Sequence, residues 1–326
     1  MKVLVLGAGG FVGRHVLAAL AAERGCTPVA ATRSGRLPAG APAGVPGLAL
    51  DAADASALQA ALAGGGYQGV VDCTAGKPAA ITAGAQALRQ AWGALGGAVP
   101  RLVYLSSMAV YGGIEGLVDE TTPLDTAAPA TSYGGAKVEA DGLLRCAGAV
   151  VLRPGCVYGG GSPQWSGRIA RLLQAHRIGD LGADGDGIAN LVHVADVARA
   201  AVAAVQAPGV DGMAINLSMA GAPTWNGYFL AFAKALAAVP VRRIGPRQLK
   251  IETRLLAPPL KIAEIVAGKA KLGAGRFPPP IPPSLLRLWR QEIRLDVRRA
   301  EQALGLRWTP LSPEVLAASV SQGSKG

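Results

Sequence analysis

Tyr133 and Lys137, four residues apart in Tyr-Gly-Gly-Ala-Lys, have the spacing in this chain best suited to chemistry. On a helix they lie one turn apart on one face. A phenol titrates near ~10, and a neighbouring ammonium stabilises its phenolate, so such a pair can exchange protons near neutral pH. The strand-like run before them ends in hydroxyls, Leu105-Ser-Ser-Met-Ala-Val-Tyr-Gly112. A second cluster, Gly7, Gly10, Phe11, Val12 and Gly13, follows an apolar run and opens a helical one. Glycines there let the backbone approach a pyrophosphate, and the helix N-terminus offers free N–H groups with a partial positive charge. A third stretch, Thr32-Arg33-Ser34, ends the second strand-like run without a carboxylate. An acid there would bind ribose hydroxyls and repel a 2′-phosphate; Arg33, helped by Arg36, would pair with that phosphate instead. NADP(H) is therefore expected ahead of NAD(H).

Positioning these residues requires strands that alternate with helices. Strand-like runs cover Lys2–Leu6, Thr27–Thr32, Gly47–Leu50, Gly69–Thr74, Arg101–Ser106 and Ala149–Arg153, with helical stretches between them such as Phe11–Arg24, Ser56–Ala63, Gly84–Gly93 and Tyr133–Cys146. This order predicts an α/β fold, a Rossmann doubly wound parallel sheet. Residues 1–165 are expected to form the dinucleotide-binding domain, with a return segment near 189–206, a short strand Leu191–His193 and the helix Val194–Gln206. Residues 166–326 are expected to form a smaller, mostly helical substrate-binding region with helices Arg168–Arg177, Thr224–Ala238 and Leu285–Leu304. Pro258-Pro259 should interrupt the run Lys250–Lys271, and Phe277–Pro283 should be extended.

Taken together, the GxxGxxG loop, SSMAVYG and YGGAK resemble the extended short-chain dehydrogenase/reductase family, of NAD-dependent epimerase/dehydratase type. The resemblance implies roles residue by residue. Ser107 would hold the reacting oxygen, with Ser106 as the adjacent alternative. Tyr133 would be the acid/base, and Lys137 would tune it and hold the nicotinamide ribose. Asp51 would contact the adenine, while Asp54 caps the next helix. Thr74 and Ala75, in Val70-Val-Asp-Cys-Thr-Ala75, would line the cofactor, and Pro154, in Arg153-Pro-Gly-Cys-Val-Tyr-Gly159, would lie beside the nicotinamide. Asp196, at the junction after His193, reads as structural, a helix cap rather than a catalytic acid. The family holds both reductases and nucleotide-sugar epimerases or dehydratases. Met108 and Ala109 stand where dehydratases carry acids, and Cys156 stands where many epimerases carry Asn. These residues favour hydride transfer between NADP(H) and a carbonyl or secondary alcohol, with epimerisation as the alternative. A third reading is an inactive NADP-sensing protein that binds RNA or a membrane.

Composition narrows the partners. Of the 326 residues 50% are hydrophobic and only 16% charged, which excludes a disordered chain. The net charge of +11 is concentrated between Arg242 and Arg299, which hold 14 Lys and Arg against 4 Asp and Glu. Such a segment attracts an anionic substrate, a nucleic acid or a membrane surface. Only Phe277 and Trp289 are aromatic there, which argues against a nucleic-acid platform. The run Leu255–Leu272 is apolar enough to cover a lipid-like substrate or touch a membrane. Cys26, Cys73, Cys146 and Cys156 are scattered and expected to be reduced, and His15, His176 and His193 lack metal-ligand spacing, so no metal is expected. The start on a strand-like run, and no apolar run of ~18–20 residues, predict a soluble cytoplasmic protein. The resemblance also suggests a homodimer.

Overall fold

The structure, a computed structural model, describes residues 1–96, 99–269 and 278–321. The short apolar strands β1 (Lys2–Leu6), β2 (Thr27–Thr32) and β3 (Gly47–Ala49) alternate with α1 (Phe11–Ala22) and α2 (Ala55–Gly65). Then follow β4 (Gly69–Asp72), α3 (Pro78–Gly93), β5 (Arg101–Leu105), β6 (Gly116–Val118), α4 (Tyr133–Arg145) and β7 (Val150–Pro154). The second half runs β8 (Cys156–Tyr158), α5 (Arg168–Gln174), β9 (Leu191–His193), α6 (Val194–Gln206), β10 (Ala214–Leu217), α7 (Trp225–Ala235) and α8 (Pro246–Ile251). It ends with α9 (Ala257–Lys269), α10 (Pro283–Arg290), β11 (Ile293–Leu295), α11 (Arg298–Leu304) and α12 (Pro313–Ser321).

Seven strands form one sheet in the order β10-β7-β5-β4-β1-β2-β3, and every pairing is parallel. A parallel sheet buries both faces, so its strands are apolar on both sides. In β1, Val3 and Val5 face a cluster with Val16 and Leu17 of α1 and Val197 and Ala201 of α6. Leu4 and Leu6 face the other way, onto α2, α3 and α4. This is the doubly wound Rossmann arrangement, whose ligands bind beyond the carboxyl ends of the strands. A further cluster around Trp225, Phe229 and Trp289 packs the later helices.

Four local readings of the sequence are corrected. Ala214–Leu217, not read as a strand, adds β10 beside β7. The stretch Leu285–Leu304 is two helices around β11, which pairs with β6. Ile293 and Leu295 are buried and Arg294 exposed, a two-residue period no helix supplies. Pro258-Pro259 do not interrupt the chain's helical course: they open α9 directly after a π turn at Glu252–Leu256, in the first turn where a missing N–H is tolerated. Helix α3 begins at Pro78, earlier than the composition suggested, because proline suits that first position. Residues 270–277, including part of the apolar run to Leu272 and the start of Phe277–Pro283, lie outside the described residues. No described helix is long and apolar enough to cross a membrane.

Candidate active site

The glycine loop is shaped by contacts that only glycine allows. Gly7 has φ of +69°, and Gly10 N–H donates to Gly7 O at 2.9 Å, closing a tight turn. A Cβ on Gly13 would stand 2.2 Å from Gly7 O, so the helix packs directly against the turn. Gly10, the N-cap of α1, offers no side chain to the first turn. The amide groups there are left for a ligand. A Cβ on Gly7 would come within 3.0 Å of the backbone of Cys73 and Thr74, so the loop abuts the end of β4. Phe11 turns outward, edge-on to His15, near Gly161. At the end of β2, Thr32 Oγ1 donates to Arg36 O at 3.0 Å and holds the turn. Arg33 is exposed and makes no hydrogen bond or ion pair with the described residues. Asp51 accepts from Ala53 N at 3.0 Å and is otherwise exposed, and Asp54 caps α2 through Ala57 N at 3.0 Å.

Beside this strip lies a cleft of about 990 Å³, at the carboxyl ends of β4, β5 and β7. Of the residues singled out in the sequence, Val12, Thr74, Ala75, Ser107, Tyr133, Lys137 and Pro154 line it. Gly7, Gly10, Phe11, Gly13, Thr32, Arg33 and Asp51 do not line it; they belong to the strip at the ends of β1, β2 and β3. The uncapped N-terminus of α1 and the glycines of the loop before it fit a pyrophosphate, and the cleft begins beside them at Val12, Thr74 and Ala75.

Tyr133 is the first residue of α4, capped by Ser132, whose Oγ accepts from Gly135 N at 3.0 Å. A Cβ on Gly135 would stand 2.2 Å from Pro129 O, so the helix start is pressed against the preceding loop. Tyr133 is 46% exposed, and it opens into the cleft. The protein packed around the rest of it pushes its phenol above the ordinary value, opposed by a hydrogen bond with the Ser107 side chain. Ser107 begins a 3-10 turn (Met108–Tyr111) just past β5, its Oγ accepting from Ala109 N at 3.2 Å. Both residues line the same cleft. Ser106 points away and donates to Asp141 Oδ2 at 2.8 Å, in the interior.

The Lys137 ammonium makes no hydrogen bond to Tyr133. Its Nζ donates to Leu105 O at 2.7 Å and to Tyr104 OH at 3.0 Å, and it lies over the Tyr104 ring. Ser107, and not the ammonium, is the group that lowers the Tyr133 phenol. Burial brings Lys137 down to about 8, against the attraction of Asp72 and Asp141. Asp72 is itself pushed up by burial, and is held by Thr74 N at 2.8 Å and by the charge of Lys137. Beneath lies a buried ion pair: Arg153 donates from Nε and Nη2 to Asp141, each at 2.8 Å, and from Nη1 to Tyr111 OH at 3.0 Å. Asp196 is structural but not the cap: His193 caps α6, and Asp196 accepts from Thr309 N at 2.9 Å and Oγ1 at 2.6 Å, tying the C-terminal segment to α6.

At the far end of the cleft, Met108 and Cys156 were singled out in the sequence, whereas Trp165, Leu285, Arg287 and Leu288 were not. Met108, Cys156, Val157, Trp165, Leu285 and Leu288 make this end largely apolar, with Asp125 and Arg287 as its charged side chains away from Lys137. The apolar ones come from the turn after β5, from β8, from the π turn Pro163–Gly167 and from α10, and no local motif announces the last two.

Residues 3–218 match the model of the NAD dependent epimerase/dehydratase family. No curated protein matches the chain in sequence. Among solved structures, the UDP-glucose 4-epimerase of Thermus thermophilus, in complex with NAD, is 20% identical with a TM-score of 0.70, covering 100% of this chain and 99% of that one. The Thermotoga maritima UDP-glucose 4-epimerase with UDP-glucose is 17% identical, TM-score 0.70, covering 99% and 98%. UDP-glucuronic acid 4-epimerase from Bacillus cereus, with UDP-glucuronic acid and NAD, is 18% identical, TM-score 0.69, covering 98% of each chain. At these identities the likeness is one of fold.

Proposed function

The chain belongs to the NAD dependent epimerase/dehydratase family, and from that premise we propose that it is an NADP(H)-dependent oxidoreductase acting on an apolar-bodied carbonyl or secondary alcohol. The observation that carries this reading is that Ser107 and Tyr133 line one cleft, with the Ser107 side chain opposing the rise of the Tyr133 phenol. When bound, the dinucleotide supplies or takes up a hydride. The glycine loop would hold its pyrophosphate, Arg33 and Arg36 its 2′-phosphate, Asp51 its adenine end, and Lys137 the ribose next to the nicotinamide. Thr74, Ala75 and Pro154 would wall the groove. In the reductive direction Ser107 holds the substrate oxygen by a hydrogen bond, and Tyr133 gives that oxygen its proton. The raised phenol keeps Tyr133 protonated at neutral pH, ready to act as an acid.

The substrate end supports a ketone over a nucleotide sugar, because its lining is mainly apolar and a diphosphate would find few cations there. The family match supports the second reading, epimerisation of a sugar nucleotide by transient oxidation. The purified enzyme should be incubated with NADPH and a panel of apolar ketones, following reduced-nicotinamide absorbance. A steady loss of absorbance that Tyr133→Phe abolishes is expected. Interconversion of UDP-sugars without net consumption of NADPH would replace this reading by the second.

A further inference from the structure

We propose that the outward side of the α8–α9 segment docks on an anionic phospholipid membrane. Six of the thirteen large hydrophobic side chains exposed among the described residues lie in this one segment: Ile251, Leu255, Leu256, Ile262, Ile265 and Val266. Leu255 and Ile262 are 67% and 64% exposed. Ile251, Leu255, Ile262 and Val266 recur at helical spacing and share one side. Meanwhile the inward side buries Leu249, Thr253 and Glu252, the last paired with Arg177. The segment thus buries a paired carboxylate and exposes isoleucines and leucines, the reverse of a helix built only to cover a core.

Charge selects the occupant. Next to this side, between α8 with the turn after it and α10, opens a pocket of about 380 Å³ lined by Lys250, Arg254, Arg287 and Arg290 and by no carboxylate. Arg290 is paired with Asp184 at 2.7 Å. The side chains of Lys250, Arg254 and Arg287 make no hydrogen bond or ion pair with the described residues. Arg242 and Arg247 add exposed positive charge just upstream, and Arg243 pairs with Asp180 at 3.9 Å. Apolar side chains beside unneutralised cations are the pairing that acyl chains and anionic headgroups satisfy together. A second copy of this chain would bring the same cations against themselves. Arg287 also lines the cleft, so docking would set the substrate end of the cleft beside the lipid. The proposal does not depend on the reaction assigned above.

The test is flotation of the full chain with vesicles of phosphatidylcholine alone or mixed with phosphatidylglycerol. Binding to the mixed vesicles at low salt, weakened several-fold by high salt, is expected. Leu255→Asp/Ile262→Asp, both at exposed positions, should lower the bound fraction about tenfold, and Lys250→Ala/Arg254→Ala several-fold, while NADPH affinity is unchanged. Absence of flotation on the mixed vesicles at low salt, or equal flotation of the aspartate variant, would overturn the proposal. A dimer in solution that the aspartate variant dissociates, with no flotation of the wild type, would assign the face to a second copy instead.

Discussion

Replacing Arg33 by alanine removes an exposed guanidinium from the end of β2, where it has no partner among the described residues. No carboxylate stands at this strand end to compete for it, and the Thr32–Arg36 bond fixes the turn on which both arginines sit. A charge-assisted hydrogen bond contributes about 1.5–3 kcal/mol. At an exposed, screened position the lower figure applies, so each arginine is worth about 1.5 kcal/mol towards a 2′-phosphate, or about tenfold in affinity. NADH lacks that phosphate and should bind both proteins alike. Fluorescence titration of NADPH and NADH against wild type, Arg33→Ala and Arg33→Ala/Arg36→Ala measures the ratio directly. The preference for NADPH should fall about tenfold in the single variant and about a hundredfold in the double, if the two contacts add. Tighter binding of NADH than NADPH to the wild type, or an unchanged ratio in Arg33→Ala, would refute the phosphate reading.

Tyr133→Phe should lower the reductive rate by about 10²–10⁴, as loss of a positioned proton donor does, with NADPH affinity within about twofold of wild type; Ser107→Ala should lose less, and comparable steady-state rates in all three proteins would remove both from the mechanism. Lys137 is charged below about 8 and loses its charge as pH rises through that value, so NADPH affinity should decline on the alkaline side. Asp72→Asn removes a carboxylate that favours the ammonium, and the decline should move to lower pH; titrations at stepped pH that show the same decline in both proteins would free Lys137 from this role. Arg153→Met leaves Asp141 buried without its partner, at a cost of about 3–5 kcal/mol. For a chain of 326 residues, at about 2.1 cal/mol/K per residue, the melting temperature should drop by about 4–7 °C, and calorimetry should show Arg153→Met/Asp141→Leu recovering most of it.

The parallel sheet was legible because its causes are local. Apolar runs such as Val3–Leu6 must be buried on both faces, and the glycine loop marks where the first strand turns into a helix. The strand β10 was not legible, since its four residues include Asn216. That side chain is buried only because Tyr111 OH donates to its Oδ1 at 2.7 Å and it reaches Val118 O, while Glu120 takes its backbone N–H at 2.8 Å. Those partners lie about a hundred residues away, beyond any window of periodicity. The break between α10 and β11 was missed for a like reason. Gln291 ends the helix by donating to Gly112 O at 2.9 Å and Ile114 O at 2.7 Å, carbonyls that the sequence nearby does not reveal.

The same division runs through the site. Gly7, Thr32, Thr74 and Ser107 stand in turns that directly follow strands, so their places could be read along the chain. The four-residue spacing of Tyr133 and Lys137 was equally plain, yet spacing fixes only which face a side chain leaves from. Where the Lys137 ammonium goes is decided by Leu105 O, Tyr104 and the buried Asp72, acceptors on two strands that the helix meets in three dimensions. The substrate half depends on α10, which carries Leu285, Arg287 and Leu288 to the cleft more than a hundred residues after Tyr133. Cofactor preference should therefore respond to single substitutions in one turn, whereas substrate preference should be shared among Asp125, Trp165 and α10. Moving α10 against the Trp289 core would alter the cleft and the basic pocket together, since Arg287 borders both. Substitutions that change which carbonyl is accepted should for that reason cluster on α10 and often disturb membrane docking as well, whereas those that change the dinucleotide should leave docking alone.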